Sequence, residues 1–273
     1  MTIFIGVASF IFGSVVGSFL NVCIYRLPRE ESILTPGSRC QHCSKHIAWY
    51  DNIPFISFIM LRRRCRHCQG IISSRYFLVE FLTAGIFLSL FLKLGVSPEF
   101  FIYLPLVSGL ILITFIDFDH WIIPDVVTLP GIILGIVLST LHPEIQREIL
   151  HFSAVSATRL SGFFSSVFGA FVGGFFLYLT GVIGRKIAKK EVMGGGDVKL
   201  LAMIGAFLGW QLTALTIFLS AFAGSVVGII AKIRKGESYL PYGPYLALGA
   251  VFSVFWGKAI IEWYIRHLLR GGS

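Results

Sequence analysis

The sequence predicts an all-α polytopic membrane protein of about eight transmembrane helices, with a small cytoplasmic four-cysteine zinc-binding domain inserted after the first helix. Three observations lead there. Apolar residues make up 55% of the 273-residue chain and charged residues only 14%, against about a quarter in soluble domains. The apolar residues gather in runs long enough to cross a bilayer, rich in Phe and Gly. The one long polar segment carries two C-x-x-C pairs. Together these exclude a disordered chain, a collagen-like fibre and an ordinary cytosolic enzyme. The net charge of +9 calls for no nucleic-acid partner, because Lys and Arg collect on the cytoplasmic side of membrane proteins.

The first apolar run, Ile3 to Ile24, spans a bilayer. No Lys or Arg precedes Arg26, so the basic start of a signal peptide is missing, and Gly13-x-x-x-Gly17 favours close packing against another helix. The run reads as a retained span. Next, Arg26 to Arg75 holds nine basic residues against three acidic ones, which places it in the cytoplasm and the N-terminus outside. Further spans are expected at Phe77 to Leu94, Phe101 to Ile116, Val126 to Leu141 and Gly162 to Ile183. The loop His142 to Ser161, with only Arg147 and Arg159, faces outward; Arg185, Lys186, Lys189 and Lys190 mark the return to the cytoplasm. The 32-residue run Leu200 to Ala231 is long for one span and short for two. Lys232, Arg234 and Lys235 follow it, so it should enter and return, with a turn at Gly205 or at Gly209-Trp210. The last span covers Pro244 to Ile265. The expected domains are a first helix over 1–25, a zinc-binding domain over 26–75 and a transmembrane domain over 76–273.

Cys40-Gln-His-Cys43 and Cys65-Arg-His-Cys68, with 21 residues between them, have the form of a tetrahedral four-cysteine zinc site. Four thiolates leave no open coordination position, so the ion is expected to be structural. Its binding supplies folding energy to a loop with little core. Arg62, Arg63, Arg64 and Arg66 surround the second pair and are expected to lower the thiol pKa values. The alternative, two disulfides, suits an oxidising compartment and not a cytoplasmic face. His42 and His67 lie inside the knuckles and read as solvent-facing.

Ionisable residues within apolar runs are costly and mark function. Two clusters stand out: Asp117, Asp119 and Asp125 between the third and fourth spans, and Gly194-Gly-Gly-Asp197-Val-Lys199 before the next long run. The topology puts both on the cytoplasmic side. Two facing carboxylates can share a proton, one serving as base to a water and the other as acid to a carbonyl, the chemistry of aspartic proteases. Equally, Asp119 and Asp125 can cap helices or pair with Lys199, and the glycines can be a plain linker.

The ordered set of motifs then resembles the bacterial type IV prepilin peptidase family, of the GxGD aspartic-protease class. It comprises Gly17-Ser-Phe-Leu-Asn21-Val with Arg26-Leu-Pro28, Ser38-Arg-Cys40-x-x-Cys43, Asp51-Asn-Ile-Pro54, Arg64-Cys65-x-x-Cys68, Ile72-Ser-x-Arg75-Tyr, Glu80, Ile116-Asp117-x-Asp119, Pro124-Asp125 and Gly194-Gly-Gly-Asp197-x-Lys199-Leu. The stretch between the two aspartates is longer than usual for the family, the excess falling in His142 to Ser161. The resemblance implies a bifunctional enzyme of the bacterial cytoplasmic (inner) membrane. It would cleave the leader of prepilins or pseudopilins after a Gly and then N-methylate the new first residue using S-adenosylmethionine. Pilus or secretion assembly machinery is a further partner so implied. Asp117 and Asp197 become the catalytic pair, with Asp119, Asp125 and Lys199 in support. The cysteine loop is then the methylation-associated domain and 76–273 the peptidase domain. No nucleotide fingerprint marks a site for S-adenosylmethionine, and the basic surface Arg62 to Arg64 is the candidate holder of its carboxylate. Glu80, one turn into the second span, either reaches the interface to pair with a base or holds the basic leader or the new amino terminus. Two other classes fit parts of the pattern, an ion carrier with intramembrane acids and a zinc-stabilised membrane scaffold.

Overall fold

Lipid is as apolar as leucine, so hydrophobicity alone does not pair membrane helices; close backbone approach and hydrogen bonds must. The computed structural model, which describes residues 1–146, 158–189, 193–235 and 240–269, shows both at work. Helices carry the fold. Among the described residues no strand occurs, only the isolated bridges Arg39 with His46 and Arg64 with Ile71. The chain divides into two compact units, Met1–Ile116 and Asp117–Ser273.

The first unit contains α1 (Thr2–Arg26), the short α2 (Ile56–Met60), α3 (Ser74–Leu94) and all but the last turn of α4 (Pro98–His120). α1 and α3 touch through the predicted glycine pair. A Cβ on Gly13 would lie 2.8 Å from Ala84 Cα, and one on Gly17 would lie 2.7 Å from Glu80 Cα, so nothing larger fits. One turn further on, Asn21 Nδ2 donates to the Tyr76 carbonyl at 3.0 Å. Buried Arg26 then ties the following loop to the end of α1, donating to the carbonyls of Ser32 (2.8 Å), Pro36 (2.6 Å) and Gly37 (3.2 Å).

The second unit contains α5 (Asp125–Leu141), α6 (Arg159–Ala188), α7 (Gly195–Lys235) and α8 (Gly243–Phe252). A π-helical turn, Ser253–Gly257, leads from α8 into α9 (Lys258–Tyr264). α6 begins before its apolar run because Thr158 and Ser161 form a reciprocal capping box. It meets α7 at glycines: a Cβ on Gly169 or on Gly205 would fall on the other residue's carbonyl. α6 turns Phe164, Phe168, Phe171 and Phe175 outward, as a lipid-facing surface would.

Six helices are long and apolar enough to cross a membrane, and the 17-residue α5 is a shorter apolar helix. α7 breaks at Gly209 (φ 75°, ψ 170°), so the awkward 32-residue run is two rods, as expected. The six long helices, α5 and the division of α7 make eight rods among the described residues. Of the two candidate turns, Gly209 bends and Gly205 stays helical. The break interrupts the backbone ladder, and the nearby Ala206 carbonyl is served by side chains instead: Ser139 Oγ (3.1 Å), Gln146 Nε2 (2.7 Å) and Ser166 Oγ (2.7 Å). Most of the long loop expected to face outward, 147–157, and Lys190 lie outside the described residues.

Gly205→Ala should lower the stability of the second unit by about 1–3 kcal/mol, because the α6–α7 contact must open. Gly85→Ala, whose Cβ meets nothing within 4 Å, should be neutral or slightly stabilising. Thermal unfolding of the purified chain in detergent compares the two.

Candidate active site

Asp117 lies in the last turn of α4 and Asp197 in the first turn of α7. Both are buried, 5% and 9% exposed, and their charges are near enough to act on each other. The fold therefore brings together two acids 80 positions apart in the chain. α4 ends because Trp121 adopts a left-handed conformation (φ 58°), which leaves Asp117 at the end of the rod.

Glycine amides meet both carboxylates. The Gly243 N–H donates to Asp117 Oδ2 at 3.0 Å, and the Gly194 amide reaches the Asp197 carboxylate. Gly243 opens α8, where the first backbone N–H groups have no helical acceptor and the helix dipole is positive. A carboxylate is the natural partner there. A Cβ on Gly243 would lie 2.6 Å from Asp117 Oδ2. A Cβ on Gly196 would lie 2.8 Å from Ile123 Cβ, and Gly243 also faces Ile123. Gly195, by contrast, has open space around it. Of the three glycines before Asp197, the third is thus required by packing and the middle one is not. Tyr242, the residue before Gly243, bonds through its hydroxyl to Ser220 Oγ at 2.9 Å.

The other two acids of the cluster, unlike this pair, are exposed. Asp125 and Lys199 form an exposed ion pair, with Nζ 2.8 and 2.7 Å from the two carboxylate oxygens. Asp119 is exposed at the end of α4. Gly243 is the functional residue that the sequence reading missed. Its only signal is a Gly before a Pro at a helix start, because a backbone donor has no side chain to notice.

In the first unit, the two C-x-x-C segments are near-copies of one turn. The Cys40 N–H donates to the Lys45 carbonyl at 3.0 Å, and the Cys65 N–H to the Gly70 carbonyl at 2.9 Å. The four sulfurs lie within 4.8 Å of one another, and Cys40 Sγ and Cys68 Sγ are 3.8 Å apart. A tetrahedral ion with metal–sulfur bonds of about 2.3 Å imposes that spacing. All four cysteines are free, so the cluster is one that could hold a metal ion and contains no disulfide. Backbone N–H groups of Cys68 and His67 hold the Cys65 thiol down at about 6. Two of the four neighbouring arginines expected to do this are engaged elsewhere. Arg66 forks onto Asp51 (2.8 and 2.6 Å) and holds that carboxyl below the usual range, and Arg63 lies over the Phe58 ring. His42 packs against Gly70 and bonds to the Ile71 carbonyl (3.3 Å), joining the two knuckles without being a ligand.

Comparison with known proteins also divides the chain in two. The family described as Bacterial Peptidase A24 N-terminal domain matches residues 11–94, and the Type IV leader peptidase family matches residues 104–229. Among curated relatives, a prepilin leader peptidase/N-methyltransferase of Aeromonas hydrophila is 34% identical over 95% of this chain and 93% of its own length. The chain belongs to the prepilin leader peptidase/N-methyltransferase family. The Pseudomonas aeruginosa member is 32% identical over 93% of this chain and 91% of its own. The Myxococcus xanthus member is 38% identical over 84% of this chain and 64% of its own, so the chain spans under two thirds of that relative. No solved structure matches. Six apolar helices in a prepilin peptidase family member make this a multi-pass membrane protein.

Gly243→Ala should displace the Asp117 carboxylate, since the added methyl occupies its place. A shift of that size around a reacting group costs about 10²-fold in rate. Steady-state cleavage of a leader-bearing substrate should show the loss in kcat more than in KM.

Proposed function

We propose that this chain is a bifunctional enzyme of the bacterial inner membrane. It cleaves the leader of type IV prepilins or pseudopilins after Gly on the cytoplasmic side, and then N-methylates the new first residue. One observation carries the reading: two buried aspartates at the ends of membrane helices, close enough to interact and each held by a glycine amide.

Two carboxylates that feel each other's charge can share one proton. The ionised member takes a proton from a water, whose oxygen attacks the scissile carbonyl carbon. The protonated member gives its proton to the carbonyl oxygen. Collapse of the tetrahedral carbon breaks the C–N bond, and the leaving amine takes a proton from the dyad. The Gly243 and Gly194 amides fix the carboxylates in place without competing for that proton. Asp125 and Lys199 support the site by tying the start of α5 to the first turns of α7. Both are substantially exposed, so the pair is worth little in stability. Asp119, two residues beyond Asp117, remains a proposed supporting neighbour of the pair.

The second reaction needs the new α-amine in its neutral form. With a pKa near ~8, a useful fraction is neutral at cytoplasmic pH. S-adenosylmethionine, when bound, supplies an electrophilic methyl group on a sulfonium. The excess of basic residues in 26–75 supports a cytoplasmic place for the cysteine domain and an N-terminus outside. Zinc is the proposed ion of the four-cysteine cluster. Four sulfurs at tetrahedral spacing favour it and leave no position for catalysis.

Asp117→Asn and Asp197→Asn should each leave less than about a tenth of wild-type cleavage, with the fold and metal content retained. Cleavage of a Gly-Phe leader peptide by the purified chain tests this, and turnover above that level in either variant contradicts the dyad. Metal analysis of reduced, freshly purified protein should find about one zinc per chain. Its removal by a chelator should unfold the 26–75 segment, seen as loss of protection in hydrogen exchange.

A further inference from the structure

A cavity of about 390 Å³ opens in the first unit between α1, the cysteine knuckles and the start of α3. It falls within the range of roughly 300–1,000 Å³ that small-molecule sites occupy. Its walls come from four stretches of sequence, 18–31, 36–58, 61–67 and 71–80, which is why no linear fingerprint marks it.

Glu80 lines this cavity and is only 8% exposed. Its carboxylate accepts the Phe55 N–H at 3.1 Å and a hydrogen bond from Ser18. Among the described residues no Lys, Arg or His pairs with it. Every other acid lining the cavity is either exposed, as Glu31 is, or already matched, as Asp51 is by Arg66. An acid buried without a counter-charge beside an open space is a receptor for a cation. Aromatic rings share the wall: Phe55 and Phe77 meet edge to face with centroids 5.4 Å apart, and Tyr76 lies beside them. Such faces receive a flat heterocycle or a soft cation. A guanidinium completes the set. Arg26 spends its donors on three carbonyls, whereas Arg39, which also lines the cavity, is exposed. The cavity therefore offers one buried anion, exposed cations in Arg39 and Lys45, and aromatic faces. That matches a zwitterionic nucleoside with a positive sulfur. Arg62, Arg63 and Arg64, the expected carboxylate holders, do not line it.

We propose that this cavity binds the S-adenosyl sulfonium methyl donor, with Glu80 pairing its positive charge, Arg39 its carboxylate and the Phe55–Phe77 wall its purine. The proposal rests on the methyl-transfer reading given above. It changes the role of Glu80 from holding the leader or the new amino terminus to holding the donor.

The test uses the full chain, purified with its metal in detergent, and measures equilibrium binding by calorimetry. S-adenosylmethionine and S-adenosylhomocysteine differ by the methyl group and its positive charge. Glu80→Gln keeps an acceptor for the Phe55 N–H. It should weaken S-adenosylmethionine about tenfold or more, and S-adenosylhomocysteine less than about threefold. Equal weakening of both, or of neither, overturns the assignment. Ultraviolet cross-linking of labelled S-adenosylmethionine to the wild-type chain removes any dependence on the variant's folding. The label should map to 18–31, 36–58, 61–67 or 71–80, and label found only elsewhere overturns the assignment. A wild-type chain that methylates cleaved pilin while its label lies elsewhere leaves the methyl-transfer reading standing and removes the cavity from it. A chain that neither binds the donor nor transfers a methyl group overturns both.

Discussion

Two aspartate carboxylates held by glycine N–H groups set the terms for everything around them. A Cβ at Gly243 would lie 2.6 Å from the same Asp117 oxygen that its N–H serves, so this residue must be bare. α8 must also begin there, so that the amide is free of a helical acceptor. α4 in turn must stop just after Asp117, which the left-handed Trp121 achieves. Acids are expensive at the edge of a bilayer, and these donors offset the cost without supplying a competing cation.

The same small residue does a different job in the helix interfaces. Gly13 and Gly17 seat α1 on α3; Gly169 and Gly205 bring α6 and α7 into backbone contact. Close approach substitutes for the hydrophobic driving force that lipid does not provide. It also fixes axial register, since a glycine notch accepts its partner at one height only. Asp197 is two turns before Gly205 on α7, so the contact that holds the rod also sets the depth of the acid.

Sequence made the rods and the acids plain, because charge interrupts an apolar run wherever it falls. It made the cysteine cluster plain because sulfur spacing is local. Helix ends were less visible: α6 gains its first turn from Thr158 and Ser161, polar residues that an apolar window passes over. Asp125 read equally as part of the acid cluster or as a partner of Lys199, and only three-dimensional placement chose the ion pair. Gly243 was hidden because its contribution is main-chain. The origin of the Cys65 shift was misjudged for the same reason: backbone N–H groups, and not the adjacent arginines, act on the sulfur. The cavity beside Glu80 draws on four stretches whose adjacency no single stretch encodes.

Ile123 occupies the four-residue connection between α4 and α5, and both Gly196 and Gly243 bear on it. One of these glycines adjoins Asp197 and the other donates to Asp117. A single aliphatic side chain is thus a common spacer for two segments that each carry one acid. The separation of the carboxylates is gauged by the girth of that side chain as much as by the helices. A change in the size of that one residue would therefore bear on both acid-carrying segments at once.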